Sequence, residues 1–137
     1  MVDAERLSRI LARVSSDVAE LRETGQEAGL AEDSVRLRAV KYGFVTAIEG
    51  CLRAAQHVVA SEGLAMPESN ADGVRLLGRQ SIVEPDVADA VGRAVGFRNV
   101  LVHEYVDVDD ARVVANLSLL DDLNDFVSQL AAWAARQ

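Results

Sequence analysis

The amino-acid sequence predicts an all-α protein, an antiparallel up-and-down bundle of four long helices plus one short helix. Three observations carry that expectation. Apolar residues recur at steps of three and four along most of the chain, the period of amphipathic helices. No run of four or more alternating apolar and polar residues competes with them, and Val106-Asp107-Val108-Asp109 is too short for a strand. The composition agrees: 137 residues, 50% hydrophobic and 26% charged with two prolines, are expected to form a single domain spanning residues 1–137 with a proper core.

The first helix is expected from about Asp3 to about Thr24, because Leu7, Ile10, Leu11, Val14, Val18 and Leu21 share one face; Gly25 and Gly29 close it. The second opens near Glu32-Asp33-Ser34, acids and a hydroxyl that suit the positive end of a helix dipole. It carries Leu37, Val40, Phe44, Ile48, Cys51, Leu52, Ala55, Val58 and Val59 and ends at Gly63. Residues 64–70 read as a connection, followed by a short helix near Asn70 to Gln80 that holds Leu76 and Leu77. Glu84-Pro85 opens the next long helix, with proline at the first helical position, where its missing N–H costs nothing; this helix runs toward His103. Asp107, Asp109 and Asp110 then precede one last helix, whose stripe runs through Val113, Val114, Leu117, Leu120, Leu123, Phe126, Val127, Leu130 and Trp133.

Charge and cysteine content exclude several classes. A formal net charge of −8 argues against coating nucleic acid through a broad basic surface, although a small local site is compatible with it. No stretch of about 18 uninterrupted apolar residues is present to span a bilayer. Cys51 stands alone, so no internal disulfide forms, and Met1-Val2-Asp3-Ala4-Glu5 lacks the basic start and apolar run of a signal peptide. The expected location is the cytoplasm.

Chemistry is concentrated on the fourth helix. Val87, Val91, Ala94, Arg98, Val102 and Tyr105 step by four, three, four, four and three, which sets a cation on an apolar stripe. An unpaired buried guanidinium costs several kcal/mol, so Arg98 must face a partner, a cleft or a subunit interface; a structural salt bridge is the plainest of these. The string Arg98-Asn99-Val100-Leu101-Val102-His103-Glu104-Tyr105 adds an imidazole and a phenol within eight residues. On an ideal helix Arg98 and Tyr105 are about 20° apart in azimuth, whereas His103 is rotated about 140° from Arg98. Either the helix ends or distorts near His103, or two copies pack so that their groups meet across a symmetric interface.

This string resembles the HEPN superfamily (higher eukaryotes and prokaryotes nucleotide-binding), whose ribonuclease members carry Arg-x4-His. It is most similar to the HepT-like branch, with Arg-x4-His-x-Tyr, which Arg98, His103 and Tyr105 match in spacing and identity. Ala47-Ile48 and the stretch from Cys51 to Val59 look like the family's second helix, and Pro67 lies in its following loop. Arg53 stands where many relatives carry an acid and Gln56 where many carry Asn, departures that touch the second helix and not the motif. The resemblance implies a HEPN-like bundle acting as the toxin of a type VII-like toxin–antitoxin system, a homodimeric, metal-independent endoribonuclease that needs no cofactor. Its implied partners are an RNA substrate and a cognate minimal nucleotidyltransferase antitoxin, which adenylylates the motif tyrosine.

The residue types suit that chemistry. RNA cleavage by its own 2′-hydroxyl needs a group that titrates near neutral pH and a fixed cation for the charge building on the phosphoryl oxygens. His103 and Arg98 would be the catalytic pair. Asn99 would donate to phosphate or orient His103, or else be a helix-surface amide. Tyr105 would accept AMP, whose anion would then block the site. The chain has no Gly-rich phosphate loop and no nucleotidyltransferase signature, so it is the acceptor and not the transferase. A different class of function fits the same residues, a non-catalytic helical module that docks or presents nucleotide to a nucleotidyltransferase.

The remaining candidates have plainer readings. His57 is expected to be a hydrogen-bonded structural residue, and Asp107, Asp109 and Asp110 to cap a helix. Asp121, Asp122 and Asp125 are expected to form a solvated acidic face. Cys51 reads as packing, and Trp133 as a cover for the core or a subunit seam. Gly92 and Gly96 lower the helix's intrinsic stability by about 1 kcal/mol each relative to Ala, either to permit close helix approach or as an undirected weakness. Arg93 and Arg98, with Arg75 and Arg79, would gather into a positive cleft at the dimer seam.

Overall fold

Local capping chemistry sets most of the helix starts. The computed structural model describes residues 1–104 and 107–137. Helix α1 (Ala4–Gly25) begins where the Asp3 carboxylate accepts from the Arg6 amide, and α2 (Ser34–Ser61) where Asp33 accepts from the amides of Val35 and Arg36. Ser69 caps the short α3 (Asn70–Arg79) through the Asp72 amide, and Pro85 opens α4 (Pro85–His103) as its first residue. Asp109 caps α5 (Asp110–Ala115), and α6 (Leu119–Ala135) closes the chain. Single 3-10 turns lie at Leu30–Glu32 and Asn116–Ser118, and no strand occurs among the described residues.

The last helix is not continuous, as its sequence stripe implied; it breaks into α5, the 3-10 turn and α6. Polar side chains take over the backbone carbonyls at the break: the Asn116 amide donates to the Arg112 carbonyl at 2.8 Å, and the Ser118 hydroxyl to that of Ala115 at 3.2 Å. Val113 and Leu120 remain buried on either side, so the apolar spacing survives a break that it does not report.

α1 packs on α2 and α6, while α4 packs on α2, α3 and α6, which makes the four long helices the walls of the bundle. Phe44, Ile48, Leu77, Leu101, Leu123, Phe126 and Leu130 fill its centre. α1 and α2 approach closely because α2 is bare at Gly43 and Gly50. A Cβ at Gly43 would meet the Leu21 side chain at 2.7 Å, and one at Gly50 would collide with Val14. Where α2 meets α4, the rings of Phe44 and Phe97 pack edge to face with centroids 5.3 Å apart. That aromatic contact lies one residue before Arg98 and fixes the height of the motif on the bundle.

Candidate functional site at the α2–α4 seam

The apolar face of α4 runs through Val91, Ala94, Phe97 and Leu101 and not, as the sequence spacing suggested, through Val102, which is 46% exposed. Arg98 therefore stands at the edge of the buried face and reaches across to α2. Its Nη2 donates to Glu49 Oε1 at 2.9 Å and its Nη1 to Asn99 Oδ1 at 2.9 Å. Nε is buried without an acceptor among the described residues. The Arg98 and Glu49 side chains are 22% and 34% exposed, sheltered enough for the pair to orient the guanidinium and open enough to leave it reachable.

Glu49 escaped the sequence reading, although a signal was present. It is the only acid in the 28 residues of α2, set between the buried Ile48 and Gly50, and it answers the one cation on the apolar side of α4.

Asn99 is exposed and contacts Arg98, not His103. His103 is the last residue of α4, exposed, and makes no hydrogen bond or ion pair among the described residues. The helix is uninterrupted between Arg98 and His103, so the imidazole stays about 140° around the axis and about 7.5 Å along it. One chain thus brings Arg98, Asn99 and Glu49 together and leaves His103 apart from them. Tyr105, with Val106, lies outside the described residues. The Glu104 carbonyl accepts from the amides of Asp107 at 3.0 Å and Val108 at 2.9 Å.

The other candidates sort by their partners. His57 Nε2 accepts from the Asp3 amide at 3.2 Å, which ties the start of α1 to the end of α2, a structural use of the ring. Asp109 caps α5, and Asp110 pairs with the buried Lys41 at 3.1 Å. Asp121 is not simply solvated, since Arg22 of α1 reaches it at 2.6 Å. Burial pushes the Cys51 thiol up to about 12. Trp133 is buried against the core.

Within one chain Arg75 is paired with Asp89 and Arg79 with Asp72, and Arg93 is exposed. The Asp72 carboxyl is held below its usual range by the Glu68 amide and then by Arg79. Gly92 makes room for the Arg75 guanidinium of α3, which a Cβ there would meet at 2.8 Å, and a Cβ at Gly96 would meet nothing within 4 Å. Among the described residues no group of three or more His, Cys, Asp or Glu is arranged to hold a metal ion. An apolar groove of about 410 Å³ between α2 and the α2–α3 connection, lined by Leu52, Val59, Met66 and Pro67, includes none of the motif residues.

Residues 7–130 match the family described as HepT-like, ribonuclease HepT-like. The mRNA nuclease HepT of Shewanella oneidensis is 28% identical over 85 residues, 61% of this chain; the match spans 64% of that relative's length, just under two thirds. The fold is shared with the tri-AMPylated Shewanella oneidensis HEPN toxin, solved in complex with its MNT antitoxin. That likeness has a TM-score of 0.85 at 22% identity and covers 96% of this chain and 99% of the other. It is shared equally with YutE of Bacillus subtilis, a cytosolic protein of unknown function, with a TM-score of 0.84 at 16% identity over 96% of this chain and 90% of that one.

Proposed function

The chain belongs to the HepT-like ribonuclease family, and from that premise we propose that it is the RNA-cleaving toxin of a toxin–antitoxin pair, acting without a metal ion through Arg98 and His103. The observation that carries this reading is the division of labour on α4. Arg98 is fixed by Glu49 and Asn99, while His103, one and a half turns on, is solvent-exposed with no partner among the described residues. A fixed guanidinium is suited to the negative charge that grows on the phosphoryl oxygens as the 2′-hydroxyl attacks. An uncommitted imidazole is suited to taking the proton from that hydroxyl or giving one to the leaving 5′-oxygen. Asn99 spends its carbonyl on Arg98, which leaves its N–H groups for a phosphate oxygen.

The site is completed by a second copy. The azimuth between Arg98 and His103 keeps them from facing one phosphate within a single chain, and the outward line of α4 carries Gly96, Asn99 and His103 at helical spacing. The open space at Gly96 lets another helix approach there, and the exposed Val102 gives the contact an apolar edge. The acceptor of AMP is Tyr105, modified by a cognate minimal nucleotidyltransferase; the solved relative bound to its MNT antitoxin and carrying AMP groups supports this. The bulky anion so added would exclude RNA from Arg98 and His103. The protein works as one HEPN-like domain over residues 1–137 in the cytoplasm, and no helix among the described residues is long and apolar enough to cross a membrane.

A second reading, a binding module that docks or presents nucleotide to the nucleotidyltransferase without cutting RNA, draws on the neutralisation of Arg98 by Glu49. Expression in cells separates the two. The toxin arrests growth, His103→Ala abolishes the arrest, and coexpression of the nucleotidyltransferase relieves it with one or more AMP masses mapped to Tyr105. Unimpeded growth with the wild-type protein, or arrest undiminished by His103→Ala, excludes the ribonuclease reading.

A further inference from the structure

The chain's only lysine is buried in α2 and holds the element that follows the motif. The Lys41 side chain is 10% exposed, and its Nζ lies 3.1 Å from Oδ1 of Asp110, the first residue of α5. A second contact holds α5 on the other side, where the Arg112 guanidinium lies over the Phe97 ring at 5.8 Å, the ring that packs against Phe44. Val108 and Val113 are buried, and the Asp109 carboxylate caps α5 through the Ala111 amide. From α5 the constraint runs back to the motif through backbone. The amides of Asp107 and Val108 both donate to the Glu104 carbonyl, and the Glu104 amide donates to the Val100 carbonyl at 2.8 Å. The segment 107–110 is thus bonded to Glu104 at one end and to Lys41 at the other.

We infer that Lys41 is a positioning residue for His103, acting through its ion pair with Asp110 to fix the segment 107–110, whose amides bond back to Glu104 at the end of α4. A point charge on a flexible stem suits the task, since it reaches out of the apolar surroundings of Val40 and Phe44 to one carboxylate oxygen at the helix start. The inference rests on the ribonuclease reading for its consequence and on geometry alone for its mechanism.

Two readouts on the full-length protein test it. In Lys41→Met, amide hydrogen exchange at Asp107 and Val108 is expected to quicken about tenfold or more, while Leu123, Phe126 and Leu130 of α6 keep their protection. RNA cleavage per folded molecule is expected to fall about 10- to 100-fold well below the melting temperature, the range that a misplacement of about 1 Å produces. Asp110→Asn is expected to give the same two effects and serves if Lys41→Met does not fold. Asp110→Glu, which keeps the charge, is expected to restore cleavage to within about threefold of wild type, a rescue that a merely structural residue would not show as a change in rate per folded molecule. Unchanged exchange at Asp107 and Val108, or cleavage by both neutralising variants within twofold of wild type, overturns the inference. If wild type and His103→Ala cleave RNA equally, the ribonuclease reading is what has failed, and the exchange rates alone decide whether Lys41 fixes the segment 107–110.

Discussion

The two histidines stand in opposite circumstances. His57, half-buried near the end of α2, spends Nε2 on the Asp3 amide and so joins the start of α1 to a neighbouring helix. His103, at the end of α4, is exposed and makes no hydrogen bond or ion pair among the described residues. An imidazole that already accepts a structural hydrogen bond has no lone pair to offer a substrate proton, whereas an uncommitted one keeps both nitrogens for chemistry. The same contrast divides the cations. Lys41 is almost enclosed and paired with a half-exposed Asp110, while Arg98, paired with Glu49, keeps about a fifth of its side chain open to a ligand. Partnering and exposure together, rather than residue type, separate the groups that hold the fold from those left open to a ligand.

The sharpest break of this contrast is Arg98→Ala. Loss of the fixed cation is expected to lower cleavage about 10²- to 10³-fold, the cost of removing one donor from a charge-stabilising site. Melting should shift only modestly, because Glu49 is left one-third exposed and hydrated; initial rates beside calorimetry check both halves.

Cys51 extends the comparison to the fully enclosed extreme. The folded protein keeps the thiol proton up to about pH 12, while the unfolded chain releases it near the ordinary 9.0. Stability is thus unaffected by this group below about pH 9 and falls above it by roughly 1.4 kcal/mol per pH unit, since the folded state then binds the extra proton. Urea titrations between pH 8 and 11 should show that slope in wild type and a shallower one in Cys51→Ala.

Glu49→Gln sits between the classes. Removing the charge opposite a half-sheltered guanidinium is expected to cost about 1–2 kcal/mol of stability, and the loosened Arg98 should lower cleavage as well. A stability loss with unaltered cleavage would assign Glu49 to the fold alone. The smallest effect belongs to His57→Ala, about 0.5–1.5 kcal/mol for one hydrogen bond at a helix start, read as a lower melting temperature with cleavage per folded molecule within twofold of wild type.

Much of this architecture was legible in the sequence because it is local. Asp33, Ser69 and Pro85 announce helix starts through bonds or constraints spanning only a few residues, and the helices they open fall within two or three residues of the expected limits. The structural role of His57 was legible too, since an imidazole beside Val58 and Val59 on a packed helix needs a partner. What stayed hidden depends on distant neighbours or on competing bonds. Periodicity does not distinguish a continuous helix from one interrupted at Asn116–Ser118, because the apolar residues keep their spacing through the interruption. Nor does it place Val102 outside the core, since that follows from where α4 leaves its neighbours. Glu49 and Arg98 are 49 residues apart, and only the packing of α2 on α4 makes them partners. The pairing of Arg75 and Arg79 was hidden for the same reason, since the packing that brings Asp89 to Arg75 and the turns of α3 that bring Asp72 to Arg79 leave no mark in the composition.

The most direct measurement is the digestion of single-stranded RNA by purified protein in EDTA, with wild type and His103→Ala compared at equal folded concentration. The account expects wild type to cut with the metal chelated and to leave 2′,3′-cyclic phosphate ends, and His103→Ala to be slower by about 10²- to 10⁴-fold. Equal cutting by the two proteins, or cutting that begins only when a divalent metal is restored, would contradict it.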